Sequence, residues 1–438
     1  MMPLVTGAGI KLWILRCCDL LTGFALNSPP DPPHKGISLT LHSDGKLHTR
    51  PLLLTAAYYA SFIILGLTTA AEGPSLPTLA KHTASGLDRI SLIFVTGALG
   101  YLIGSLLGGR TYDRMPGHRV MAAMLVCMTL AAVAYPLASV LWVLLLATFV
   151  MGFAKGAVDV GCNTLLQWVH DGRVGPYMNG LHFAFGLGSF FAPILLARIL
   201  AGTGDIYWVF WIIAILIHPL ALWLWMLPSP AFANDASHDA PVSVSLAPVL
   251  LVVLAFFLYV GAEVGFSNWL YTYAITLGLE DAIHAAYLTS VFWALFTLGR
   301  LLGVWVSTRL GPRLILAMDL AGCLVSLALI GAFPNSILLL WLGSAGFGLS
   351  MASIFPTILM LAGEKLRVSG TITGWFLLGA GAGGMLLPWL IGNAFASSGP
   401  HIMIGMVLVD LVLDALVLLL FVYGVMPGRR ESSELADS

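Results

Sequence analysis

The chain has few charged residues. Asp, Glu, Lys and Arg make up 9% of its 438 residues and hydrophobic residues make up 59%, whereas a soluble globular domain carries about 25% charge. The mean hydropathy is correspondingly high, at +0.93. This composition predicts a protein that folds in a lipid bilayer.

Several classes of function lack the residues that they need. The formal net charge of -1 gives no basic excess for a nucleic-acid partner. The five cysteines show no paired spacing typical of a disulfide framework or a zinc site. Gly-x-Ser-x-Gly, His-Glu-x-x-His and a phosphate-binding loop with a lysine are all missing. We therefore expect no nucleic-acid partner, no metal, no cofactor and no enzymatic activity.

Long apolar stretches dominate the rest of the chain. A membrane-spanning stretch of about 20 residues must satisfy its own backbone hydrogen bonds, and these stretches do not alternate as barrel strands do, so they predict helices. Twelve spans are predicted, at 52–80, 87–109, 118–137, 139–168, 176–201, 206–227, 247–277, 284–308, 313–333, 336–363, 370–396 and 401–426.

The predicted spans form two sets of six. Residues 51–227 make an N-terminal bundle and residues 249–427 a C-terminal bundle, joined by a polar, Pro- and Ser-containing linker at 228–248. Residues 1–50 are predicted to be a disordered or interfacial extension, and residues 428–438 a cytoplasmic tail. We expect a monomer.

Basic residues indicate the orientation. The predicted inner loops are rich in arginine, for example Arg110 and Arg309, whereas the outer loops hold little beyond Lys81 and Arg89. By the positive-inside rule both termini face the cytoplasm. A bacterial inner membrane is the expected location.

An internal repeat relates the two sets of spans. Adding 194 to the numbers of Gly109, Gly117 and Arg119 gives Gly303, Gly311 and Arg313 in the corresponding loop. The same offset carries Asp159 onto Ser353. Parallel six-helix repeats are typical of a transporter that rocks around a central site.

The stretch from Gly109 to Arg119 resembles the inner-loop signature of the major facilitator superfamily, Gly-x-x-x-Asp-Arg-x-Gly-Arg, with one extra residue before Gly117. The resemblance implies an all-α membrane protein of twelve transmembrane helices in two pseudo-symmetric six-helix bundles. It also implies a gating role for Asp113, Arg114 and Arg119.

Four further segments are similar to the fucose/galactose/glucose:cation symporter family, including its sodium-dependent glucose transporter-like branch. They begin at Asp159 in span four, Asn179 in span five, Tyr259 in span seven and Gly299 in span eight. In that family carboxylates in spans one and four act in cation coupling and sugar binding. The resemblance assigns these positions to Glu72 and Asp159, although the family often has Asn-Asp where this chain has Glu72. Fucose-type members often carry Gln at the position of Glu263.

Charges within the spans need a reason to be there, because each costs at least about 2.5–3.5 kcal/mol at a helix centre. Lys155, Asp159 and Asn163 share one face of span four. Lys155 and Asp159 are spaced to form a structural i,i+4 ion pair. The alternative is a role in coupling, which we expect for Glu72, Lys155 and Asp159 with H⁺ or Na⁺ as the ion.

Polar and aromatic side chains on spans four, five, seven and eight suit a sugar, whose ring face stacks while its hydroxyls take hydrogen bonds. Trp and Tyr also populate membrane interfaces, and His182 is equally interpretable as an interior histidine. Arg300 either closes the inner side by pairing with a carboxylate or extends toward the interface. The candidate substrate-binding residues are Asn163, Asn179, His182, Tyr259, Glu263, Asn268, Trp269 and Trp293.

Two features stand apart from this site. The run from Gly379 to Gly384 mimics a dinucleotide fingerprint, but it lies inside a span and predicts close helix packing instead. Asp319, Asp410 and Asp414 are charges within spans for which the sequence suggests no mechanism.

The sequence thus predicts a secondary active transporter that moves a monosaccharide-like solute with H⁺ or Na⁺. A proton-coupled exporter of drugs or metabolites on the same fold is the main alternative, because fold does not fix function. A receptor or scaffold of the same architecture is a third possibility.

Overall fold

The computed structural model describes residues 49–170, 174–230, 246–366 and 370–424. Nearly all of the predicted N-terminal extension, most of the predicted linker and the predicted tail lie outside the described residues. Every regular element in the described part is helical.

Twelve of these helices are long and apolar enough to cross a membrane. Their ends differ from the predicted spans by no more than three residues. The helices are α1 (Thr49–His82), α2 (Leu87–Tyr112), α3 (Gly117–Leu137), α4 (Leu141–Val169), α5 (Val174–Thr203), α6 (Tyr207–Met226), α7 (Leu246–Thr276), α8 (Ala282–Ser307), α9 (Pro312–Ala332), α10 (Ile337–Lys365), α11 (Gly370–Ser398) and α12 (Ile402–Gly424).

Three of the helices have local irregularities. α2 is interrupted at Ser91, and α10 breaks after Met351 and resumes at Ile354. α12 ends in a π-helical turn, Leu420–Gly424. In contrast, α1 continues as one helix through Pro74 and Pro77.

The helices pack in the same pattern in the two halves of the chain. In the first half α1 lies against α5, α2 against α4, and α3 against α6; in the second half α7 lies against α11, α8 against α10, and α9 against α12. The halves meet through α2 against α11 and α5 against α8, which are exchanged by the same six-helix shift. This is the packing expected of a pseudo-two-fold repeat.

Glycines allow the closest helix contacts. A Cβ on Gly383 would collide with the carbonyl oxygen of Phe257, and one on Gly379 would lie only 2.4 Å from the carbonyl oxygen of Val253, so a larger residue at either position would force the helices apart. The predicted use of the run Gly379–Gly384 for close packing is therefore confirmed, because it seats α11 on α7. Large apolar side chains such as Leu106 and Trp142 are exposed on the outer surface, where a bilayer would cover them.

Candidate transport site

The halves are in tight contact on the side of the bundle opposite the beginning of α1 and the end of α12. α1 meets α7 there: a Cβ on Gly73 would lie 2.6 Å from the Cα of Asn268. α11 meets α2 in the same region, where Gly392 packs directly on Ser91. Backbone-to-backbone contact of this kind leaves no passage between the halves at these points.

The contact between α5 and α8 lies midway along α5, where Gly186 packs against Thr297. One and two turns closer to the beginning of α5, His182 and Asn179 are exposed. We call the space onto which these two side chains open the central cavity, and it lies toward the side on which α1 and α5 begin.

Glu72 and Lys155 form an ion pair across the first half. The Lys155 ammonium on α4 lies 2.9 Å from Glu72 Oε1 on α1 and 3.4 Å from the Thr69 hydroxyl. The side chain of Lys155 is only 12% exposed and that of Glu72 only 19%. The i,i+4 pair suggested by the spacing of Lys155 and Asp159 is not formed, because the lysine extends to α1 instead.

Asp159 is held by neutral donors. The Tyr101 hydroxyl of α2 donates to Asp159 Oδ2, and the Asn163 amide donates to Asp159 Oδ1 at 2.8 Å. No ion pair joins Asp159 to a lysine, arginine or histidine in the described ranges. Its carboxylate is therefore oriented without being neutralised.

Tyr101 is not among the site residues predicted from the sequence, although the spacing of glycines on α2 and α4 indicates it. Glycines recur every four residues on the α2 face formed by Gly100 and Gly104 and on the α4 face formed by Gly152 and Gly156. A Cβ on Gly156 would collide with the Tyr101 carbonyl oxygen. These small residues let the two backbones approach closely, and that approach places the Tyr101 side chain against Asp159.

The second half presents a carboxylate and a guanidinium. Arg300 of α8 interacts electrostatically with Glu263 of α7 and with His182 of α5. Its guanidinium carbon lies 4.6 Å from the centroid of the Phe296 ring, and its Nε is buried without a hydrogen-bond partner in the described part of the chain. Arg300 thus lies where the two halves face each other.

Four of the predicted substrate ligands take part in packing in this conformation. Trp269 is fully buried and donates its indole N–H to the Pro388 carbonyl at 2.9 Å. Tyr259 is also fully buried and donates to the Met351 carbonyl at 3.2 Å. Asn268 and Trp293 are 8% and 5% exposed. The structure brings His182 and Glu263 near Arg300, and Asn179 is exposed about one turn before His182 on α5, whereas the four packing side chains are buried.

The loop residues predicted to gate, Asp113, Arg114 and Arg119, are all exposed. Arg119 lies over the Trp225 ring at 5.9 Å. None of the three makes an ion pair with another described residue. This is consistent with the open state of the side on which they lie.

The twelve helices, the repeated packing and the polar cavity between two halves define a polytopic membrane transporter. The profile described as Major Facilitator Superfamily matches residues 58–388, and the chain belongs to that superfamily. The predicted fold class and the absence of an enzyme function are therefore confirmed.

Similar proteins indicate which part of the superfamily the chain resembles. The chain is 31% identical over 362 residues to "Sodium-dependent glucose transporter 1" of Xenopus laevis, covering 74% of this chain and 72% of the relative. It is 28% identical over 375 residues to "Sodium-dependent glucose transporter 1A" of Mus musculus, covering 76% and 88%. The structure of a D-xylose-proton symporter superimposes with a TM-score of 0.70 at 14% identity, covering 86% of this chain and 98% of the other. The predicted family resemblance is confirmed.

Proposed function

We propose that this protein is a symporter that moves a monosaccharide-like solute together with H⁺ or Na⁺. One observation carries the proposal: Lys155 of α4 neutralises Glu72 of α1, and Asp159, one turn further along α4, has only neutral partners among the described residues. An oriented carboxylate without a counter-ion in a membrane-embedded cavity is suited to take up a cation reversibly.

The solute class follows from the cavity and the relatives. Asn163, Asn179 and His182 provide amide and imidazole groups, and Glu263 adds a carboxylate from the other half. Each sugar hydroxyl both donates and accepts hydrogen bonds, so a sugar site needs donors as well as acceptors. Sugar names among the relatives support this class.

The coupling of the ion to the solute depends on whether the Asp159 carboxylate carries its charge. When a proton or sodium ion binds the carboxylate, the unpaired charge in the cavity disappears and the halves can close around the solute. When the ion leaves, the carboxylate favours the hydrated open state. The Glu72–Lys155 pair lies one helical turn away and keeps the lysine from neutralising Asp159 permanently.

Alternating access is expected to use the contacts already described. The basic loops assign the terminus side to the cytoplasm, so the structure corresponds to an inward-open state. In the outward-open state Gly73 and Asn268 separate, and the exposed Asp113, Arg114 and Arg119 engage partners across the closed cytoplasmic side. Arg300 would then pair fully with Glu263.

The test is uptake into proteoliposomes with a panel of common monosaccharides. A proton gradient and a sodium gradient are imposed separately, and a protonophore and a sodium ionophore serve as controls. The proposal expects one gradient to drive accumulation above equilibrium. Accumulation of no sugar under either gradient would overturn it, and solute extrusion driven by an inward proton gradient would favour the exporter.

A further inference from the structure

Two aspartates lie in the middle of α12, on the face that packs into the protein. Asp410 and Asp414 are buried, whereas the intervening Val412 and Leu413 are 43% and 47% exposed. The aspartates continue a stripe with the buried residues Met403, Val407 and Val417. They therefore do not face lipid.

Asp414 has no exposed surface and no partner. Its relative exposure is 0%, and neither carboxyl oxygen makes a hydrogen bond within the described ranges. Asp410 is 7% exposed, and its Oδ2 is likewise buried without a partner. Desolvating an unpaired carboxylate costs several kcal/mol even after relaxation of the protein, so an ionised Asp414 is incompatible with these surroundings.

No ion pair between described residues includes Asp410 or Asp414. Lys365 of α10 reaches α12 further along, where it donates to the Phe421 and Val422 carbonyls. α9 contributes Cys323, which interacts electrostatically with both Asp414 and Asp319. The Tyr259 hydroxyl of α7 donates to the Met351 carbonyl, and α11 contains no ionisable residue between its ends. The titratable groups shown to interact with Asp414 are therefore Asp410 and the Cys323 thiol.

The atoms around Asp414 favour a proton over a metal cation as the ligand. Hard cations such as sodium or calcium require a shell of several oxygen atoms. Here the Cys323 thiol is directed to the Met351 sulfur at 3.8 Å, so soft atoms occupy this part of the interior. No group of three or more His, Cys, Asp or Glu within the described part of the chain is arranged to hold a metal ion. A proton, which needs no coordination shell, fits.

The internal repeat gives this cluster a place in the fold. Ser353 occupies the position in α10 that corresponds to Asp159 in α4, and its hydroxyl donates to Asp319 Oδ2 at 2.6 Å. The second half thus regains a carboxylate at the repeat-related position from α9. Cys323 interacts with both this Asp319 and Asp414.

We propose that Asp414, together with Asp410, is a proton-binding site in the second half of the transporter, separate from Glu72, Lys155 and Asp159. The folded protein holds this proton, and unfolding releases it because the exposed carboxyl ionises in water. This proposal does not rest on the identity of the solute. It requires only the fold and the contacts around α12.

The direct test is infrared spectroscopy of the purified full chain in liposomes at neutral pH. The C=O stretching band of a protonated carboxylic acid should be present in the wild type and should lose intensity in Asp414→Asn. The exposed acid Glu364 of α10 provides the control, and Glu364→Gln should leave the band in place. A protonated-carboxyl band that is unchanged in Asp414→Asn would overturn the proposal.

A second measurement follows thermal unfolding from acidic to alkaline pH, which needs no transport. Because a proton held only by the folded state is released on unfolding, the melting temperature of the wild type should fall as pH rises. Asp414→Asn, an amide of the same shape, should remove part of that fall and keep the protein folded. Equal pH slopes in wild type and variant, or stabilisation by sodium over choline that Asp414→Asn abolishes, would contradict a proton site.

Discussion

Lys155 on α4 pairs with Glu72 on α1 at 2.9 Å and leaves Asp159, one turn further along its own helix, to Tyr101 and Asn163. Glu72 and Asp159 are therefore not equivalent. Glu72 belongs to a fixed ion pair that ties two helices together. Asp159 belongs to a neutral hydrogen-bond network in which the charge of the carboxylate can change.

Because of this difference, a substitution at Asp159 should affect coupling, whereas a substitution at Glu72 should affect stability. Asp159→Asn should abolish gradient-driven accumulation, because an amide neither ionises nor binds a proton in the working range. Solute exchange between preloaded proteoliposomes and the medium should persist, since that partial reaction needs no net movement of the ion. Uptake against a gradient at the wild-type level would rule out a coupling role for Asp159.

Tyr101→Phe is a milder change in the surroundings of Asp159. It keeps the ring that packs at α2 but removes the hydroxyl that donates to Asp159. A hydrogen bond to a charged group contributes about 1.5–3 kcal/mol. We therefore expect accumulation to be retained with a shifted pH or sodium dependence, and a profile identical to the wild type would show that the hydroxyl does not tune the ion.

The Glu72–Lys155 pair should behave as a structural unit. Removing one partner of a buried pair costs about 3–5 kcal/mol, because an unpaired charge is left behind. Glu72→Gln and Lys155→Met should each lower the melting temperature of the purified protein. The double variant should recover most of the loss, because neither charge then remains, and additive losses in the double variant would show that the pair does not act together.

The sequence predicted the fold well because hydropathy reports each helix by itself. The ends of α1 and α10, for example, depend only on where apolar residues give way to loops. Contacts between helices are not local, and this is why the spacing of Lys155 suggested only its i,i+4 neighbour Asp159 as an ion-pair partner and gave no indication of Glu72. Tyr101 escaped notice for the same reason, since only the glycine spacing on α2 and α4 indicated that it would meet Asp159.

Residues predicted as substrate ligands separate into two groups that a sequence cannot distinguish. His182 and Asn179 are exposed at the cavity, whereas Trp269 is fully buried. His182→Ala should raise the KM for the solute by roughly 10-fold, the loss of about one hydrogen bond, with little change in melting temperature. Trp269→Ala should instead destabilise the protein by about 3–5 kcal/mol, because it leaves a large cavity and an unpaired Pro388 carbonyl.

Measured together, the two variants separate binding from packing. Solute affinity is read from uptake kinetics, and stability from thermal unfolding in the same detergent. If His182→Ala leaves the KM unchanged, the histidine does not contact solute. If Trp269→Ala raises the KM without loss of stability, the tryptophan is a ligand in another state of the transport cycle.

The contact between Gly73 and Asn268 should control which side of the protein is open. A Cβ at position 73 would lie 2.6 Å from the Cα of Asn268, and backbone atoms cannot yield as a side-chain end does. Gly73→Val should therefore force α1 and α7 apart on the side opposite the termini and disfavour the state described here. Gly202→Ala is the matched control, because a Cβ there meets nothing within 4 Å.

The measurement is maleimide labelling of a thiol introduced by Asn179→Cys, a position exposed at the terminus-side cavity, in a background with the native cysteines replaced. Gly73→Val should reduce its labelling rate by about 10-fold or more, which corresponds to a shift of about 1.4 kcal/mol in the conformational equilibrium. Gly202→Ala should label as its parent does. Equal labelling in all three proteins would mean that the α1–α7 contact is not part of the gate, and that the cavity at Asn179 stays open whichever way the opposite side is held.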